Sequence, residues 1–231
     1  MIGTIVNTLC IVGGSIVGAT LRKGIKPRYQ KGLYDAMGLC ALLIGINAFV
    51  GNMSKSQYPV LFIICMALGA LIGFWANLSK QFDKLVKQFS SSSQSELGQG
   101  LVTAILLFCV GPLSMLGPVM SALQGDNTYL FTNATLDLIS SAIFASTYGI
   151  GIIWSAPILL IWQGAFYLVS KLSASAITPE LMTEIIIVGG ILIASSGLAI
   201  LGIKDCKTLN LLPAILIPIL FFAGKALLGF L

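Results

Sequence analysis

Long apolar runs alternate with short polar connections from one end of the chain to the other. A helix that crosses a bilayer needs about 20 mainly apolar residues. Residues 2–21, 33–50 and 58–78 each supply such a run, closed in turn by RKGIKPR, by GNMSKSQYP and by the polar stretch from residue 79. Within that stretch, 79–89 has helical periodicity. Phe82, Leu85, Val86 and Phe89 fall on one face and Lys80, Lys84 and Lys87 on the others, which predicts an amphipathic interfacial helix. The serine-rich residues up to 99 read as a flexible linker.

Residues 100–123 form a fourth run, interrupted by GPLSMLGP at 111–118, where two prolines and two glycines predict a kinked or unwound helix. A shorter, more polar run covers 133–148, and three more cover 151–172, 185–203 (starting as early as Pro179) and 210–230. The pattern predicts an all-α polytopic membrane protein of about eight transmembrane helices. Its segments are 1–78, a linker at 79–99, a central broken-helix pair at 100–150, and 151–231.

Composition narrows the class. Hydrophobic residues make up 57% of the chain and charged residues 9%, against about 25% charged in a soluble domain. A soluble enzyme, a DNA-binding domain and a disordered scaffold are thereby set aside. No histidine is present, so zinc sites and imidazole acid–base chemistry are not expected. The sequence has no nucleotide-binding loop and no HExxH, and points to no cofactor and no enzyme activity. The five cysteines include no CxxC and read as small buried hydrophobes. The net charge of +5 comes from basic residues at helix ends, a lipid-facing pattern and not a nucleic-acid one. With eight crossings and the amino terminus outside, ten of the thirteen basic residues fall in cytoplasmic connections. Both termini are then expected outside.

Displacing the chain by 152 residues lays the segment from Ile25 on the segment from Ile177 without a gap. Ile25 and Ile177 match, as do Pro27 and Pro179, Gly38 and Gly190, and Gly45 and Gly197. The same offset lays the first run on the sixth and the third on the eighth. The copies begin five crossings apart, so they would run in opposite directions. Inverted three-helix repeats around a central pair are therefore expected, an architecture of secondary transporters.

Asp137 is the leading functional residue, because a carboxylate at bilayer depth must face protein or water. Helical spacing places Asn133, Ser140 and Ser141 beside it. The 111–118 break, with Gly111, Pro112, Ser114 and Gly117, is a second candidate, since backbone freed from a helix can hold an ion or an anion. Asn7 is a third, placed to bond across helices. Asn47 and Gln163 are further buried polar candidates, and Asp35 is expected to pair with Lys31 one turn away. Two GxxxG motifs, at Gly14 and Gly18 and at Gly69 and Gly73, predict close helix contacts.

GTIVN at 3–7 with Gly14 and Gly18, LLFCVGPLSMLG at 106–117, LDLISSAIFASTYGIG at 136–151 and LLPA at 211–214 together resemble a bacterial family of integral membrane proteins called domain of unknown function 554. The resemblance covers essentially the whole chain and implies a multi-pass protein of the bacterial cytoplasmic membrane. It also implies a lysine ahead of the aspartate, where this chain has Asn133, so Asp137 loses that partner. It supplies no substrate. Three functions remain on the residues: an ion-coupled permease for a small solute or ion, coupled to H⁺ or Na⁺; a channel; or a structural or sensory membrane protein. The partners expected are the lipid bilayer and that solute or ion, with a homo-oligomer open and nucleic acid excluded.

Overall fold

The computed structural model describes residues 1–21, 24–92 and 96–228. It is helical: α1 (Ile2–Thr20), α2 (Pro27–Met53), α3 (Leu61–Trp75), α4 (Leu78–Ser92), α5 (Glu96–Val110), α6 (Pro112–Leu123), α7 (Thr128–Tyr148), α8 (Ser155–Leu172), α9 (Pro179–Ile200), α10 (Thr208–Leu211) and α11 (Leu216–Leu228). Short 3-10 segments precede α8 (Ile150–Trp154) and α11 (Leu212–Ile215).

Five helical stretches are long and apolar enough to cross a membrane, and seven if each of two bent pairs counts as one. One pair joins α3 to α4 with a bend of 43°, the other joins α5 to α6 with a bend of 47°. Helix α7 has the length, 21 residues, but its polar side chains keep it out of that set.

The expected unwinding over 111–118 is corrected to a break of one residue. Gly111 alone is extended, at φ −70° and ψ 147°, and Pro112 takes the first helical position of α6. A proline there costs nothing, because that N–H has no intrahelical acceptor anyway. Gly117 and Pro118 lie inside regular α6. Helix α7 starts at Thr128, five residues before the apolar run suggests, because a turn sets it off earlier. Gly125 has φ +71°, and the Thr128 N–H donates to Asp126 Oδ1 at 2.8 Å. The interfacial face expected of α4 rests on Leu85, Val86 and Phe89, whose side chains lie outside the described residues, as do Arg22 and Lys23 of the first basic loop.

The chain packs as two compact units. Unit 1 holds Met1–Asp35 and Phe82–Ala174, and unit 2 holds Ala36–Gln81 and Ser175–Leu231.

In unit 1, α1 lies along α7 in the same direction. Gly3 faces Leu130 and Asn127, Gly14 faces Leu138 and Ser141, and Gly18 faces Ala142. The glycines let the two backbones approach; a Cβ on Gly3 would sit 2.7 Å from that of Leu130. An apolar cluster of Ile11, Phe108, Cys109, Ala145, Ile152 and Leu159, with Trp162 against it, ties α1, α5, α7 and α8 together.

In unit 2, α2 crosses α9 in the opposite direction: Gly38 meets Gly197 and Gly45 meets Gly190. Helix α3 runs against the α10 region, with Gly69 on Ala214 and Gly73 on Asn210. Leu61, Cys65, Val188, Leu192 and Ala214 form the core between them. The expected Lys31–Asp35 pair is absent, since among the described residues the one ion pair joins Lys207 and Asp205 at 2.6 Å. One turn of helix brings Lys31 and Asp35 within reach, but water solvates exposed partners nearly as well as each other.

A buried polar cluster in unit 1

Buried polar side chains are unevenly shared. Unit 2 has Glu184, Ser195 and Asn210; the others, from Thr4 to Ser170, belong to unit 1. Among the described residues Asp137 is the only acid of the latter, at 5% exposure. It projects from the middle of α7, and Asn133, one turn earlier, donates Nδ2 to its Oδ2 at 2.9 Å. The α1–α7 contacts, Gly3 on Leu130 and Gly14 on Leu138, set Asn7 opposite the Asn133–Asp137 turn, with its side chain near the carboxylate. Asn7 is fully buried, and neither of its amide atoms makes a hydrogen bond of ordinary geometry. Thr4 lies one turn before Asn7, also fully buried, with no partner for its hydroxyl.

The break sits close by. Cys109, two residues before Gly111, and Cys10 of α1 are both within electrostatic range of the Asp137 carboxylate. Proline removes two backbone donors around it. Pro112 stands four residues after Phe108, and Pro118 four after Ser114, so neither carbonyl receives its helical N–H. On the far side of the break, Ser114 is fully buried and accepts from Gln163 Nε2 of α8 at 3.1 Å, leaving Gln163 Oε1 without a partner.

The candidates separate on this geometry. Asp137, Asn133 and Asn7 come together, Gly111 and Pro112 form the break just beyond Cys109, and Ser114 joins Gln163 in a second pair. Ser141 donates to its own helix at Leu138 O, 3.0 Å away, and packs toward Gly14; Ser140 faces the Tyr34 hydroxyl. Gly117 serves packing, since a Cβ there would lie 3.0 Å from the Leu130 side chain. Thr4 was not legible as a site residue, although its spacing to Asn7 within GTIVN puts both on one face.

An open recess of about 530 Å³ lies at the carboxyl-terminal ends of α1 and α7, lined by Ala19, Ser146, Thr147, Tyr148 and Gly149 among others. Ser146 is nine residues beyond Asp137, about 13 Å along the helix. The recess therefore lies at the end of α7 and is not the Asp137 site itself.

A second buried carboxylate, Glu184, lies in unit 2 at 2% exposure. The Ser56 hydroxyl donates to it, and the Tyr58 N–H donates to Ser56 Oγ at 3.0 Å. Lys225 Nζ reaches the Tyr58 hydroxyl at 2.7 Å, its ammonium 5.4 Å from the ring centroid. Glu184 stands in the first turns of α9, where an acid reads as interfacial. Its burial comes from the Ser56 loop, more than a hundred residues away in sequence. Among the described residues no three His, Cys, Asp or Glu side chains are grouped to hold a metal.

The family described as "Protein of unknown function (DUF554)" matches residues 2–223. The chain is 55% identical over 218 residues to "Uncharacterized membrane protein YdfK" of Bacillus subtilis (strain 168), with 94% of each chain covered. It is 29% identical over 226 residues to "Uncharacterized protein YqgA" of Escherichia coli (strain K12), again with 94% of each covered. No solved structure matches it.

Proposed function

The chain belongs to the DUF554 family of bacterial membrane proteins, and from its geometry we propose that it is an ion-coupled permease for a small solute. The observation that carries this reading is Asp137: a buried carboxylate at the centre of α7, beside a one-residue helix break, with no cationic side chain in an ion pair with it among the described residues. An isolated buried carboxylate costs several kcal/mol unless a proton or cation neutralises it. A group that must take up a small cation to sit in its own fold is suited to coupling. Ser114 and Gln163, a buried hydrogen-bonded pair beyond the break, are the candidate solute contacts, and Gly111 is the joint between the half-helices. In this reading the protein sits in the cytoplasmic membrane with eight crossings and both termini outside, and carries out no enzymatic step.

Helix directions support the eight crossings. Helices α1 and α7 run the same way, as the first and fifth crossings must; α2 and α9 run opposite ways, as the second and seventh must. With both termini outside, the recess beside Gly149 opens to the cytoplasm.

The inverted repeat draws support from contacts that the offset of 152 residues maps onto one another. It turns Gly38–Gly197 into Gly190–Gly45, and Tyr58–Lys225 into Asn210–Gly73. It also carries the start of α2 at Pro27 onto the start of α9 at Pro179.

The test is transport into proteoliposomes carrying a trapped pH or sodium dye, challenged with pools of amino acids, sugars and carboxylates. A solute-dependent dye response that Asp137→Asn abolishes, in protein that still purifies as a folded species, is expected. Identical responses from wild type and Asp137→Asn would overturn the coupling role.

A further inference from the structure

We propose that Asp137, Asn7 and Thr4 form a dehydrated binding site for a small monovalent cation of the sodium class. This rests on reading Asp137 as the coupling group, and it names the ion. Two unpartnered oxygens carry it: Asn7 Oδ1 and Thr4 Oγ1, both on fully buried side chains of one face of α1. The α1–α7 contacts at Gly3 and Gly14 hold that face against the Asn133–Asp137 turn. The Asn7 side chain faces Asp137, and its Oδ1 has no protein partner. The Asp137 carboxylate, Asn7 Oδ1 and Thr4 Oγ1 are hard oxygen donors.

Charge decides the valence. One carboxylate among neutral oxygens balances a single positive charge; a divalent ion would leave an uncompensated charge in an apolar interior. The donor set contains no thiolate or imidazole, which disfavours a transition metal. A proton would neutralise Asp137 and still leave Asn7 Oδ1 and Thr4 Oγ1 unmatched, whereas an alkali cation satisfies all of them at once. The glycine contacts at Gly3 and Gly14 hold α1 close against α7 on either side of Asn7, a setting for the smaller Na⁺ in preference to K⁺.

The experiment is thermal unfolding of the purified full-length protein in detergent, at fixed pH and ionic strength, with NaCl or KCl replacing choline chloride. A saturable rise in Tm with NaCl, absent with KCl and absent in Asp137→Asn, is expected. Thr4→Val keeps the shape of the side chain and removes its oxygen, and Asn7→Ala removes the amide. Each should move the half-saturating Na⁺ concentration upward at least tenfold. Thr4→Ser, which keeps the oxygen, should stay within about threefold of wild type. Should Asn7→Ala fail to fold, the Thr4→Val and Thr4→Ser pair still decides. No Na⁺-dependent rise in wild type, an equal rise with K⁺, or a rise that survives in Asp137→Asn overturns the site. Its loss leaves proton coupling through Asp137 intact in the proteoliposome assay. A sodium site without any Asp137-dependent solute response would instead overturn the permease and keep the cation.

Discussion

Gly45 and Gly190 meet backbone to backbone: a Cβ on Gly45 would lie 2.6 Å from the Gly190 carbonyl, and one on Gly190 would lie 2.8 Å from the Gly45 carbonyl. Neither neighbour is a side chain that could swing aside. Gly45→Val and Gly190→Val should each therefore lower stability by about 3 kcal/mol, the upper end of overpacking costs. Gly51→Ala, on the same helix but in open space, should be neutral or mildly stabilising. Thermal unfolding in detergent reads all three. An unchanged Tm for both valine variants would show that α2 and α9 do not cross here.

Ser56 and Glu184 give a second stability prediction. Ser56→Ala leaves a buried carboxylate without its hydroxyl donor, at a cost of about 1–3 kcal/mol. Glu184→Gln keeps the volume and removes the charge, so it should cost less than Ser56→Ala. The reverse order of Tm values would mean that the charge of Glu184, and not its burial, organises the loop.

Gly111 yields a prediction about rate. Its dihedrals are open to any residue, and an added Cβ would have only the Leu107 carbonyl nearby, at 3.9 Å. Gly111→Ala should accordingly leave Tm within a degree or two. If the joint must flex during transport, the turnover measured in proteoliposomes should fall while the half-saturating solute concentration holds. Equal turnover would make the break a static feature.

Topology is checked by impermeant thiol reagents on a background with the other native cysteines replaced. Cys206, between α9 and α10, should react only from the cytoplasmic side, and Lys55→Cys, between α2 and α3, only from outside. Same-side labelling would reduce the crossing count by an odd number.

Legibility tracked the range of the interactions. The apolar runs that became α1, α2, α8 and α9 were visible because a bilayer demands a contiguous stretch, and contiguity is a property of sequence. Asp137 was visible for the same reason, as a charge where none should stand. The extent of the break was not. GPLSMLGP has the residues of an unwound segment, yet Pro112 fits the first turn of α6 and Pro118 is absorbed inside it. Glu184 was passed over because its partner, Ser56, comes from another loop. Thr4 looked ordinary until α1 was laid on α7, since a hydroxyl in a helix usually bonds its own backbone, as Thr8 does to the Thr4 carbonyl at 2.9 Å.

The reciprocity of the α2–α9 crossing has the form of a homodimer contact, in which residue i of one copy touches j of the other and j touches i. On the inverted-repeat reading proposed above, both copies lie in one polypeptide. A shape that answers to its own rotated image needs no second kind of partner. If the repeat holds, the α2–α3 hairpin produced alone carries a surface complementary to another α2–α3 hairpin inserted upside down. Cutting the gene between the halves should therefore leave two fragments able to find each other in the membrane, with glycine against glycine as the recognition element.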